Sequence, residues 1–188
     1  MNVFVVRHGE TAWSLSGQHT STTDIPLTDN GRRGAQELRP YLSKEFSLVL
    51  VSPMQRARET CSLAGLGERA TIESDLLEWN YGRFEGLTTA EIHKEEPDWN
   101  IFRDGCPGGE TPEQVDTRVN RVIARALAAP GDVALFAHGH VLRVLAAHWL
   151  GLSPVAGERF LLDPSTLSVL SDYHGVPAVK IWNRPISE

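Results

Sequence analysis

His8 follows Arg7 at the point where the apolar, β-branched run Val3-Phe4-Val5-Val6 stops. A neutral imidazole is a competent nucleophile near neutral pH, because its ordinary pKa is about 6.5. The arginine beside it offers a rigid fork of donors that matches phosphate oxygens. Gly9 has no side chain, so backbone or ligand can come close. The dipeptide is equally compatible with two surface residues at a strand end, so it points to chemistry only in company. Ser52-Pro53 opens a helix that carries Arg56 near its start. An anion there would meet free backbone N–H groups, the positive end of the helix dipole and a guanidinium. Taken alone, Arg56 is a solvated helix arginine. Glu78 lies between Leu77 and Trp79, where desolvation favours a protonated carboxyl able to act as an acid. Its bland alternative is a structural pairing with an arginine. His138-Gly139-His140 ends another apolar run. Its spacing allows metal ligation, but further ligands would be needed and the chain offers no clear set, so no metal is expected. His93, His148 and His174 stand isolated and read as structural or exposed.

These residues follow runs that read as buried strands: Val3 to Val6, Ser47 to Val51 and Asp132 to Ala137. In an open α/β sheet, ligands bind beyond the carboxyl ends of strands. Each run leads towards a helix. The spacing predicts helices from Asp29 to Leu42 behind a Thr28 cap, from Pro53 to Ala64, and from Val141 to Trp149 with Gly151 as the stop. Capping boxes at Thr88-Thr89-Ala90-Glu91 and Thr111-Pro112-Glu113-Gln114 open two more, the first ended by Pro97. In the second, Val115, Val119, Val122 and Ala126 read as a core stripe and nothing more. Ala12 to Pro26 is polar and aperiodic and reads as a loop, long enough to be functional. Its hydroxyls, Ser14, Thr20 and Ser21, are candidate ligand donors. Thr71 to Ser74, Leu167 to Asp172 and Ala178 to Trp182 complete the strands. Alternation of this kind argues an α/β sheet with helices on both faces. Two arginines and two histidines converging on one sheet edge would make a small cationic pocket, suited to a compact dianion such as phosphate.

The 188 residues are 41% hydrophobic and 22% charged, which fits a single domain spanning 1–188. A net charge of −6 argues against nucleic acid or an anionic membrane as partner. No apolar run approaches the roughly 20 residues of a membrane span. The N-terminal run lacks the preceding basic region of a signal peptide. Cys61 and Cys106 are too few for a disulfide framework, so a reducing cytoplasm is expected. Association into a homo-oligomer stays open.

Several motifs in order carry a family resemblance: Arg7-His8-Gly9-Glu10-Thr11; Ser52-Pro53 with Arg56-Ala57 and Thr60; Leu77-Glu78 with Tyr81-Gly82 and Glu85-Gly86; Gly109-Glu110-Thr111; and Ala137-His138-Gly139. The chain resembles the histidine phosphatase superfamily, in the branch named for cofactor-dependent phosphoglycerate mutase. The resemblance implies a three-layer α/β/α sandwich with a mostly parallel central sheet. It implies His8 as the phosphorylated nucleophile, Arg7, Arg56 and His138 as ligands of the phosphoryl group, and Glu78 as proton donor. Ser14, Thr20, Ser21, Tyr81 and Gly139 are the expected substrate contacts. Mutases usually carry Asn where Ser14 stands, and a longer, more basic insertion after the acid motif. Here Leu87 to Pro107 is short, and Glu91, Glu95, Glu96 and Asp98 outweigh Lys94 and Arg103. The chain is similar instead to phosphatase members, among them sedoheptulose-1,7-bisphosphatases and bacterial acid phosphatases. The expectation is a phosphatase of small phosphomonoesters, sugar phosphates above all, with no cofactor or metal and a small phosphorylated metabolite as partner. A mutase and a non-catalytic phospho-ligand binder are the alternatives. His19, Trp79, Tyr81 and Trp99 are expected to wall the substrate site. His138 is expected to stay protonated, which would set an acidic pH optimum.

Overall fold

The computed structural model describes residues 1–186. Its strands are β1 (Val3–Arg7), β2 (Leu48–Val51), β3 (Ala70–Ile72), β4 (Val133–Ala137), β5 (Leu167–Tyr173) and β6 (Val176–Arg184). They form one sheet in the order β3-β2-β4-β1-β5-β6. β1, β2, β3 and β4 run parallel to one another, and β5 and β6 add antiparallel at one edge. Arg7 pairs with Ala137 and Val51 with Phe136, so β1, β4 and β2 end at one level.

The helices are α1 (Ala12–Ser16), α2 (Asp29–Glu37), α3 (Gln55–Leu63), α4 (Thr89–Ile92), α5 (Ile101–Asp104), α6 (Pro112–Leu127) and α7 (Gly139–Trp149). Side chains alternate across the sheet. Val3, Val5, Leu50 and Leu135 pack with Val115 and Val119 of α6 and with Leu142 and Leu145 of α7. Val6, Val49, Val51 and Phe136 pack on the other face with Leu38, Ala57 and Cys61. This is the three-layer α/β/α sandwich with a mostly parallel sheet. The fully buried Phe136 illustrates what the layers contribute: truncation to Ala would cost about 3–5 kcal/mol.

Three local expectations need correction. The loop from Ala12 contains α1, because Thr11 caps it and Ser14 closes a capping box in the place usually taken by Glu or Gln. α2 stops at Glu37 and passes into a 3₁₀ turn, Arg39–Tyr41, since Pro40 has no N–H to continue the ladder. Ser52 does not cap α3, whose N-cap is Met54. The stripe of α6 is core, as expected; Arg118, on the same helix, is also buried and is tied to the Glu78 segment.

Candidate active site

β4 anchors both neighbouring strand ends. The His8 N–H donates to the Ala137 carbonyl and the Ser52 N–H to that of Phe136, each at 2.9 Å. Beyond the strand, Gly9 presses on α2: a Cβ there would stand 2.5 Å from the Gly31 carbonyl oxygen, which no side chain can do. His8 Nδ1 lies 2.7 Å from the Gly9 carbonyl. A carbonyl only accepts, so Nδ1 carries the proton and Nε2 keeps its lone pair. Burial, then the charges of Arg56 and Arg7, hold His8 well below the usual histidine range. His8 is therefore neutral at physiological pH, in the tautomer whose Nε2 can attack.

His138 stands edge-on to His8, ring centroids 5.1 Å apart, with no exposed surface. Arg56 Nε donates to its Nδ1 at 3.2 Å, which leaves the proton on Nε2, 2.7 Å from Ser52 Oγ. That arrangement is neutral. Burial, followed by Arg56, His8 and Arg7, depresses its pKa well below the usual value. The expected protonated His138 is thus corrected: while Arg56 donates to Nδ1, no second proton fits. Arg56 and His138 both stand behind the cavity lining. The fully buried Arg56 guanidinium donates to the carbonyls of Thr20, Ser21 and Thr23 at 3.1–3.2 Å. In the unliganded protein it ties that loop to the His138 ring.

Arg7 does face the cavity, which encloses about 180 Å³. It donates Nη1 to the Leu162 carbonyl, while its buried Nε has no partner among the described residues. Burial lowers its pKa, but Glu78 opposes the shift and Arg7 stays a cation. Gly139 makes room for it: a Cβ there would lie 3.3 Å from Arg7 Cζ and 3.4 Å from Nε. Glu78 lies across the same cavity, 7% exposed. Its Oε1 accepts from the Trp79 and Val141 amides at 2.9 Å, and its Oε2 from the His140 amide at 3.0 Å. The carboxylate thus caps the start of α7, where the dipole favours it.

The expected substrate contacts divide. Ser14, Thr20, Tyr81 and Gly139 line the cavity. Ser21 does not, because its hydroxyl turns to Glu85. Ser14 exchanges bonds with Thr11 N–H at 2.8 Å and the Thr11 carbonyl at 3.0 Å, so its proton is engaged. Tyr81 Oη lies 2.6 Å from His140 Nδ1. Of the expected walls, His19 and Tyr81 serve, whereas Trp79 is fully buried behind them with Nε1 donating to the Glu110 carbonyl. Trp99 borders an adjoining space of about 210 Å³, which shares His19, Thr89, His140 and Arg143 with the main cavity. The rings of His138 and His140 turn to different partners, and among the described residues no group of three or more His, Cys, Asp or Glu side chains could hold a metal ion.

Two titratable cavity residues escaped the sequence reading. His140 read only as half of a doubtful metal pair. Arg143 donates Nε and Nη2 to the carbonyls of Gly157 and Glu158 and rests over the Phe102 ring at 4.5 Å, which fixes a guanidinium at the rim. A signal existed for it: an arginine inside the apolar run Val141 to Trp149 wants a reason.

Residues 3–185 match the model of the histidine phosphatase superfamily, branch 1. An acid phosphatase of Mycobacterium tuberculosis is 38% identical over 93% of this chain and 88% of its own. A sedoheptulose 1,7-bisphosphatase of Saccharomyces cerevisiae is 40% identical over 79% of this chain and 67% of its own. Among solved structures, the product of a Mycobacterium tuberculosis open reading frame superposes with a TM-score of 0.94, at 36% identity, covering 99% of this chain and 98% of that one.

Proposed function

The chain belongs to branch 1 of the histidine phosphatase superfamily, and we propose that it hydrolyses small phosphomonoesters, sugar phosphates foremost, through a phosphohistidine on His8 and without a metal. One observation carries the reading: a neutral His8 with Nε2 free shares a cavity with an unpaired Arg7 Nε–H and with Glu78. Phosphoryl transfer needs positioning and charge neutralisation more than covalent ingenuity. Arg7 receives the phosphoryl oxygens. His8 Nε2 attacks phosphorus, the bond to the ester oxygen breaks, and Glu78, entering this step in its protonated form, gives that oxygen its proton. Water then attacks the phosphohistidine and passes a proton to Glu78. The N–P bond breaks, its electron pair returns to Nε2, and phosphate leaves.

A bound dianion opposes the burial and the cationic neighbours that keep His138 neutral, so binding is expected to bring a proton with it. Sugar phosphates are favoured because the cavity and its neighbour offer hydroxyls, imidazoles and aromatic edges. The acids of the Leu87 to Pro107 segment line neither space; what that segment contributes to them is Thr89, His93, Trp99, Asn100, Ile101 and Phe102. The two relatives described above, at 38% and 40% identity, carry phosphatase names, which supports hydrolysis; others at 29–32% are named phosphoglycerate mutases. The setting we propose is the cytoplasm, with a small phosphorylated metabolite as partner; no helix among the described residues is long and apolar enough to cross a membrane. Incubation with a panel of sugar phosphates and with 3-phosphoglycerate tests the reading. Release of inorganic phosphate from the sugars is expected. Isomerisation of phosphoglycerate faster than any hydrolysis would replace it with a mutase.

A further inference from the structure

Glu110, in the motif Gly109-Glu110-Thr111, takes no part in the cavity. Its carboxylate forms a bidentate pair with Arg118, Nε to Oε1 at 2.8 Å and Nη2 to Oε2 at 3.0 Å. The remaining Arg118 donors run to consecutive parts of the acid segment: Nη1 to the carbonyls of Asp75 and Leu77 at 2.8 and 2.6 Å, Nη2 to that of Glu78 at 3.2 Å. All five N–H groups of the guanidinium are thereby used. Glu110 closes the other side. Its Oε2 accepts from the Asn80 amide at 2.8 Å, its N–H donates to the Asn80 carbonyl at 3.0 Å, and its carbonyl accepts from Trp79 Nε1 at 2.9 Å. Glu78 to Tyr81 have no secondary structure of their own, so little else defines their path.

We infer that the Glu110–Arg118 pair is the positioning device for Glu78, setting the backbone of residues 75–80 so that the carboxylate meets the amides of His140 and Val141 and faces His8 across the cavity. An ordinary salt bridge on a helix would engage a side chain. This one gathers three main-chain carbonyls flanking the acid and one amide beyond it. Arginine is required, because lysine brings three donors from a single nitrogen and cannot reach acceptors spread around a plane. Neither residue touches the phosphoryl site, so their loss should detach proton transfer from phosphate binding. The inference rests on Glu78 being the proton donor.

The test uses Arg118→Lys and Glu110→Gln, with Glu78→Gln as reference and, as control, Arg125→Gln, which lies on the same helix as Arg118 and pairs at the surface with Glu73. The rate of His8 phosphorylation is measured with a sugar phosphate and with a nitrophenyl phosphate, whose leaving group needs little protonation. In both clamp variants the sugar-phosphate rate should fall by about 10- to 100-fold, with vanadate affinity kept within about threefold. The nitrophenyl rate should change far less, and Arg125→Gln should behave as the parent. Exchange of the Trp79, His140 and Val141 amides, followed by NMR, should quicken in the clamp variants while the His8 and Ser52 amides stay protected. Equal losses on both substrates, a matching loss of vanadate affinity, or unchanged exchange at those amides would overturn the inference. If Glu78→Gln itself shows no dependence on the leaving group, the acid assignment fails instead, and the exchange data alone decide whether the pair positions Glu78.

Discussion

Acidification from pH 7.5 to 5.5 should destabilise this protein steeply, well before its carboxylates titrate. His8, His138 and His140 are buried and neutral, each pushed well below the ordinary value of 6.5, by desolvation first and neighbouring cations second. In the unfolded chain they take up protons near pH 6.5. Between that value and the lower folded values the unfolded state binds more protons, so stability is complete above about pH 7 and is lost as the pH falls. Each histidine that stays neutral at pH 5.5 removes about 1.4 kcal/mol over this range, so these three account for up to about 4 kcal/mol, and the lesser downward shift of His19 acts in the same direction. For a domain of this size that is a fall in Tm of roughly 8–16 °C. Carboxylates held low, such as Asp75, Asp132 and Glu85, have ordinary values of 3.8 to 4.5 and act below this window. Differential scanning calorimetry in phosphate-free buffers of constant ionic strength reads the effect, since any bound anion would stabilise the fold. His140→Gln keeps an acceptor for Tyr81 and should remove about a third of the slope. A Tm that is flat or rises on acidification would refute the neutral-histidine description.

Gly139→Ala brings a Cβ to 3.3 Å from the Arg7 guanidinium carbon; vanadate affinity should fall by about tenfold, the worth of one weakened charge-assisted bond, while thermal stability holds, because Ala suits a helix better than Gly. Titration calorimetry of vanadate in two buffers of different ionisation enthalpy should show uptake of up to one proton near pH 7, as His138 changes from neutral to charged; release of protons, or none exchanged, would count against its role at the phosphoryl site. In Glu78→Gln, phosphorylation of His8 by a sugar phosphate should slow by ~10²–10⁴-fold, with a much smaller change for a nitrophenyl ester and a burst of nitrophenol before slow turnover.

The fold was legible because its strands are short apolar runs that stop at polar residues, and because Thr28, Thr88 and Thr111 announce their helices. The place of His8 was legible for the same reason: it stands where β1 runs out. What could not be read was direction. A sequence shows that Arg56, His138 and Ser52 follow strand ends, but not that Arg56 turns its donors to Thr20, Ser21, Thr23 and the His138 ring. That choice keeps His138 neutral and sets Arg56, like His138, behind the cavity wall. Ser21 and Trp79 failed likewise, their polar atoms claimed by Glu85 and by the Glu110 carbonyl. Arg118 was hidden by periodicity, since an arginine between core valines on α6 reads as a surface residue until the acid segment folds over it.

Rapid quenching during turnover of a sugar phosphate, with a chelator present throughout, bears most directly on the central claim. Mass spectrometry of the quenched protein should find one phosphoryl group on His8, acid-labile and formed as fast as the ester is consumed, and none in His8→Ala, which should be inactive. Turnover without any phosphorylated His8, or undiminished activity in His8→Ala, would contradict the account.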